Sequence, residues 1–220
     1  MSLHDKKYIV VKKILSKELV KIYYDYMVNK EKICKTLIEN KMINPFSKAY
    51  GFFGDSQVSS AYCVYGDPLF DNMLTQLKPR IEKETELELT EMYTYARNYK
   101  IREELKRHKD RKSCEISGTI NLGGDPWPIY IDPNPAHGGF SKVNGVERYI
   151  SSGEKGVEVL LEPGDCMLYL GSECEHWRNP LLDKFCSQVF LHYRETKDID
   201  NDNWDKRLGP GMPGFTKRDK

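Results

Sequence analysis

Leu105-Lys106-Arg107-His108-Lys109-Asp110-Arg111 is the stretch that decides how this chain is read. Side chains of an extended segment alternate faces, so the imidazole of His108 and the carboxylate of Asp110, at i and i+2, project to one side and can share a metal ion. A third donor, His176, follows a Pro163-Gly164-Asp165 turn and an apolar strand. Two imidazoles and one carboxylate make a ligand set of intermediate hardness that holds Fe(II) and leaves other coordination positions open. A bare His-x-Asp is a common triplet, so its weight comes from what flanks it.

Upstream, Leu87 to Tyr99 alternates as a strand, with Tyr93, Tyr95, Arg97 and Tyr99 on one face. Downstream, Cys114 to Leu122 alternates again. Cys114, Ile116, Gly118, Ile120 and Leu122 form a core-like face, and Glu115, Ser117, Thr119 and Asn121 a polar lining. Val157–Leu161 and Cys166–Leu170 read as two strands joined by Glu162-Pro163-Gly164-Asp165, where Pro and Gly suit the central positions of a type II turn. Gln188 to Arg194 is the last strong strand, and it puts Gln188, Phe190, His192 and Arg194 on one face.

On Tyr99, His108, Asp110, the turn at 163–165 and His176, the chain resembles the 2-oxoglutarate- and Fe(II)-dependent dioxygenases, in particular the prolyl-4-hydroxylase-like branch. The runs from Arg107 to Ser117, Glu175 to Pro180 and Gln188 to Tyr193 also resemble a group of uncharacterised microbial and phage members. The resemblance covers about residues 67–194. It implies a mainly β fold with flanking α-helices, a double-stranded β-helix (a cupin-like jelly roll) with the metal at one open end. It further implies Fe(II) held by His108, Asp110 and His176, 2-oxoglutarate as cosubstrate, dioxygen, and ascorbate as an optional auxiliary. The implied reaction is decarboxylation of 2-oxoglutarate to succinate coupled to hydroxylation of an unactivated C–H bond, on a prolyl residue, another amino-acid or peptide group, or a small molecule. Asp110 occupies the position that halogenating relatives vacate, which favours hydroxylation.

The distal carboxylate of 2-oxoglutarate needs a cation and hydroxyl donors. Relatives carry that cation at the start of the strand after the distal histidine, where this chain has Lys184, Phe185, Cys186, Ser187 and Gln188. Arg194 is the first substitute, Arg97 the second, and Arg178 and Lys184 follow. Tyr99 matches a cosubstrate-contacting tyrosine in relatives, Asn121 falls where another polar donor is found, and Thr119 is its neighbour. His137 lies in a loop, and His192 reads as a core histidine or as a group behind the ligands. Two readings from other classes stay open: a noncatalytic metal- and 2-oxoglutarate-binding sensor, and a nonoxidative cupin-like metal enzyme. The second normally uses a richer histidine set than the five histidines here.

At 220 residues and net charge +1, the chain suits one domain and shows no bulk drive toward nucleic acid. The expected division is helical support over 1–86, the jelly-roll core over 87–194 and a polar tail over 195–220. No stretch is long and apolar enough for a bilayer, and no apolar signal region opens the chain, which points to the cytoplasm. The six cysteines, at 34, 63, 114, 166, 174 and 186, show no paired framework and read as reduced, buried thiols. Ser16 caps an expected helix over Leu15–Lys30 with the stripe Leu19, Ile22, Tyr23 and Tyr26. A second helix starts at Asp67 with Pro68 at its first position, and Pro79 is expected to kink or split it. Asn144-Gly145 suits a type I′ hairpin. The aromatic stretch from Tyr50 to Tyr65 reads as core or loop packing, with the cavity entrance as its alternative place, and Asn201–Lys220 as a disordered tail rather than a segment over the site.

Overall fold

The alternating stretches become the strands of two antiparallel sheets in a computed structural model that describes residues 2–198 and 203–212. In chain order the elements are α1 (Leu3–Lys6), β1 (Tyr8–Val11), α2 (Lys17–Glu39), β2 (Phe52–Phe53), β3 (Tyr62–Tyr65), α3 (Pro68–Thr85), β4 (Leu89–Lys100) and β5 (Leu105–His108). They continue with β6 (Ile116–Gly124), β7 (Ile129–Asp132), β8 (Gly139–Val143), β9 (Val146–Ile150), β10 (Val157–Val159), β11 (Cys166–Leu170), β12 (Glu175–Arg178) and β13 (Phe185–Glu195). The large sheet runs β1-β11-β6-β13-β4-β3-β2, the small one β10-β7-β12-β5, and β8 and β9 form a separate hairpin. This is the mainly β jelly roll with flanking helices.

The large sheet has an outer, apolar face covered by helices and an inner, largely polar one. Outward residues pack under α2 and α3: Tyr193 donates from its hydroxyl to the Leu74 carbonyl at 2.7 Å, and Asn98 reaches Glu31 at 2.8 Å. Register then stacks the inward side chains in three cross-strand rows. Tyr93, His192 and Ser117 form the first, Tyr95, Phe190 and Thr119 the second, Arg97, Gln188 and Asn121 the third. The polar face expected for Ser117, Thr119 and Asn121 is therefore the inner lining.

Several local expectations change. Helix α2 continues to Glu39 because no breaker intervenes before Asn40, and its buried face is Val20, Tyr23, Met27 and Cys34, while Leu19 and Ile22 stay 42% and 55% exposed. The stripe is offset because Val20 packs against the Gly164 turn. Helix α3 passes through Pro79 unbroken. The strand expected at Val157–Leu161 is only three residues long, and Cys114 ends a short 3-10 turn instead of opening β6. Gly164 adopts φ +89°, which the second central position of a type II turn requires, and Asn144 and Gly145 both have positive φ, as in a type I′ turn. All six cysteines are free and buried.

Residues 203–212, read from sequence as part of a disordered tail, are docked instead, and 213–220 lie outside the described residues. The Arg207 guanidinium meets the Asp71 carboxylate at 2.7 Å with both side chains sealed from solvent. Asp71 also accepts from Thr94 Oγ1 at 2.7 Å and from the Gly211 amide at 2.8 Å. Removing one partner of such a buried pair leaves an uncompensated charge and typically costs about 3–5 kcal/mol. Arg207→Ala is accordingly expected to lower the urea midpoint sharply, and Asp71→Asn combined with Arg207→Met to lower it less than the single change does.

Candidate active site

His108 and His176 stand opposite each other on the paired strands β5 and β12, so both rings project from one side of the small sheet. Their centroids are 4.3 Å apart. His108 Nδ1 is 2.7 Å from the Lys106 carbonyl and His176 Nδ1 is 3.0 Å from the Cys174 carbonyl. A carbonyl only accepts, so each Nδ1 carries the proton and each Nε2 presents a lone pair. Both Nε2 atoms face Asp110 Oδ1, at 3.4 Å and 3.5 Å. Neighbouring ligands on an octahedral ion with bonds of about 2.1 Å lie roughly 3 Å apart, so the three atoms are close to a facial set. Burial pushes the Asp110 carboxyl up, but the charge and hydrogen bonds of His176 and His108, when a proton takes the ion's place on Nε2, outweigh it and hold the group well below the usual carboxylate range. An anionic carboxylate between two imidazole lone pairs fits a divalent ion.

The second oxygen of Asp110 is committed elsewhere. Ser117 Oγ donates to Asp110 Oδ2 at 2.8 Å and lies 3.0 Å from His192 Nδ1. Burial lowers the His192 imidazole to about 4, so at neutral pH it is uncharged, and with the single Ser117 hydroxyl hydrogen committed to Asp110, His192 Nδ1–H donates to Ser117 Oγ. Gly171 closes the back of this arrangement: a Cβ there would sit 2.5 Å from Ser117 Oγ and 2.6 Å from Asp110 Oδ2. His192 thus stands behind the candidate ligands, one of the two roles open to it in the sequence. Ser117→Ala frees the carboxylate to rotate and is expected to weaken Fe(II) affinity by about 10–100-fold, the usual effect of losing an outer partner, with Ser117→Thr restoring it in a calorimetric titration.

At the blind end of the barrel, against the second and third rows, lies a buried polar cluster. Arg178, 1% exposed, donates to the Trp127 carbonyl at 2.6 Å and reaches Gln188 Oε1 at 3.2 Å and Thr119 Oγ1 at 3.4 Å. No carboxylate among the described residues pairs with it, its Nε has no hydrogen-bond partner, and burial pulls the guanidinium below its ordinary range. Arg97 differs. It forms an ion pair with Asp55 and donates to Tyr99 Oη at 2.9 Å. Burial works against its charge, but Tyr99, Cys63, Tyr95 and Asp55 together hold it above the ordinary range.

This geometry reorders the cations. Arg194, placed first from the sequence, is six residues along β13 from Gln188, roughly 20 Å at about 3.4 Å per residue. It sits past the row of Tyr93, His192 and Ser117 with its Nε 3.9 Å from Glu115 Oε2; of the three arginines only Arg97 lines the cavity itself, and Arg178 lies behind its wall. Arg97 is already neutralised, and Lys184 is exposed. Asn121 is occupied by the Leu161 carbonyl at 2.8 Å and the Gly123 amide at 2.9 Å, whereas Thr119 contacts Arg178 and Tyr99 accepts from Arg97 with its ring 4.7 Å from that of Trp127. His137 is held by Asp132 at 2.8 Å, away from the candidate ligands.

A cavity of about 1200 Å³ opens over His108, Asp110 and His176. Its far wall uses residues not singled out from the sequence: Asp55 and Gln57 ahead of β3, and Gly211 and Met212 of the docked segment. Asp205 fastens that segment to the metal side, accepting from Arg111 at 2.7 Å and from Tyr65 Oη at 2.6 Å. Nothing local marks Asp205, since its partners lie far away in the chain. Phe52 and Tyr65 of the aromatic stretch line the same space, the other place open to that stretch, while Tyr62 is buried in the core.

No protein-family model matches the chain, and no curated protein matches its sequence. Its fold is similar to that of a Pseudomonas putida prolyl-4-hydroxylase, at 16% identity over 88% of this chain and 95% of that one, with a TM-score of 0.53. It is also similar to HygX from Streptomyces hygroscopicus, solved with nickel, 2-oxoglutarate and hygromycin B, at 13% identity, 88% and 85% coverage and a TM-score of 0.59. EctD from S. alaskensis with bound Fe follows at 11% identity, 90% and 75% coverage and a TM-score of 0.57. At these identities the likeness establishes a shared fold. Among the described residues no helix is long and apolar enough to cross a membrane.

Proposed function

We propose that this protein is a 2-oxoglutarate- and Fe(II)-dependent oxygenase that hydroxylates an unactivated C–H bond. The observation that carries this reading is the convergence of His108 Nε2, Asp110 Oδ1 and His176 Nε2 at the floor of a large cavity. Bound Fe(II) supplies activation of dioxygen coupled to decarboxylation of 2-oxoglutarate. The chain's own residues do the rest. His108, Asp110 and His176 hold the ion on one face, and Ser117 fixes the carboxylate. Arg178, with Thr119, Gln188 and Tyr99, is the anchor for the distal carboxylate, and it supplies from β12 the cation missing at Gln188. Tyr93, Tyr95 and Phe190 wall the space next to the metal, where a C–H bond is presented away from bulk water.

The likeness to a prolyl-4-hydroxylase and to an enzyme solved with hygromycin B supports two substrate classes, an amino-acid or peptide group and a polycyclic small molecule. Drug-sized ligands occupy pockets of about 300–1,000 Å³, so a cavity of 1200 Å³ favours a peptide segment or a multi-ring molecule over a free amino acid. A cytoplasmic location belongs to the same proposal. The test is slow succinate release from 2-oxoglutarate without added substrate, dependent on both Fe(II) and dioxygen. If calorimetry finds no 2-oxoglutarate binding to the iron-loaded protein and no succinate forms, the oxygenase reading gives way to a cupin-like one; binding without succinate points to the sensor.

A further inference from the structure

We propose that Tyr93 and Cys114 are a self-modification site, at which one turnover without substrate joins the tyrosine ring to the cysteine sulfur as a thioether; this rests on the oxygenase reading above. Tyr93 Oη and Cys114 Sγ are 3.0 Å apart, 7% and 2% exposed. The ring cannot swing away. It packs against His192 with centroids 4.5 Å apart and against Tyr65 at 5.0 Å, and the Arg111 guanidinium lies 4.8 Å from its centroid. Cys114 Sγ, an Asp110 carboxylate oxygen and a His192 nitrogen all lie within 4.8 Å of one another, and both Tyr93 and Cys114 line the cavity over the candidate metal ligands. A phenol and a thiol in contact are therefore placed where an oxidant made for a substrate C–H bond arises.

Phenolic O–H and thiol S–H hydrogens are held more weakly than those of an unactivated C–H bond, so an empty cavity exposes the easier target. Loss of the phenolic hydrogen puts unpaired density on the ring carbons next to the oxygen, and the sulfur is held 3.0 Å from that oxygen. The step balances. The ring Cε–H and the Sγ–H bonds break, a Cε–Sγ bond forms, and the two hydrogens with their electrons reduce one atom of dioxygen to water. The other oxygen atom enters succinate as 2-oxoglutarate loses carbon dioxide. The product ties β4 to the turn that follows Asp110 and stiffens the metal side of the cavity.

The experiment incubates the full chain with Fe(II), 2-oxoglutarate and air, and follows succinate, intact mass and denatured thiol titre together. The expected result is a mass lower by two hydrogens, one thiol fewer than the six of the untreated chain, and a proteolytic peptide pair joined through Tyr93 and Cys114. Tyr93→Phe and Cys114→Ser should each keep their own unmodified mass and show no loss of two hydrogens. Succinate release with an unchanged mass, or with added oxygen on either residue in place of the link, overturns the proposal while leaving the oxygenase reading standing. Absence of succinate overturns both.

Discussion

Asp110→Ala is expected to abolish Fe(II) binding and 2-oxoglutarate consumption while leaving the fold intact. Its Oδ1 is the point toward which both imidazole Nε2 atoms are aimed, and it brings the negative charge among the three donors. Without it, two neutral imidazoles face the cavity and the ion keeps only weak, incomplete coordination. Loss of an outer partner typically costs about 10–100-fold in metal affinity, so removal of a direct donor should exceed about 100-fold. His108→Ala and His176→Ala should do the same, because each removes a donor whose tautomer is already set by a backbone carbonyl. Anaerobic calorimetry with Fe(II), with circular dichroism as the fold control, measures this. Any of the three variants that binds iron as tightly as the parent chain strikes that residue from the site.

How far the sequence alone reaches is clearest along β13. Alternation correctly assigns Gln188, Phe190 and His192 to one inner face, because strand periodicity is local and burial enforces it. Depth is a different quantity. Whether a cation on that face meets the blind end or the metal end depends on register with β4 and β6, and Arg194 stands one row past His192 and three rows from Gln188. Arg178 ranks low by local pattern because its contact spans the two sheets: its guanidinium reaches from β12 in the small sheet to Gln188 on β13 in the large one. The docked segment was illegible for a similar reason. Its buried pair joins Asp71 to Arg207 across most of the chain, and a Gly- and Pro-rich stretch reads locally as tail. In α2, propensity and spacing gave a helix but not which stripe the sheet would cover.

Arg178→Met is expected to weaken 2-oxoglutarate binding more than a hundredfold while leaving Fe(II) binding unchanged. The warrant is a comparison between two buried arginines on adjoining walls. Arg97 already faces Asp55, whereas Arg178 is sealed from solvent with only neutral groups around it and an unsatisfied Nε. A buried charge without a counterion is costly, and stripping one side of a paired one typically costs roughly 3–5 kcal/mol, which at about 1.4 kcal/mol per tenfold exceeds a hundredfold in affinity. The sign of the stability change separates this role from a structural one. If Arg178 serves to bind a carboxylate, a methionine of similar volume relieves an uncompensated charge and the ligand-free protein should unfold at the same or a higher temperature. If Arg178 serves the fold, through the Trp127 carbonyl and Gln188, the same change should lower it. Arg178→Lys should recover only part of the affinity, since an ammonium cannot present the paired donors of a guanidinium. Arg194→Ala should change neither quantity appreciably for 2-oxoglutarate. A large loss of affinity in Arg97→Met with none in Arg178→Met would move the anchor to β4 and require Asp55 to release its partner when the cosubstrate enters.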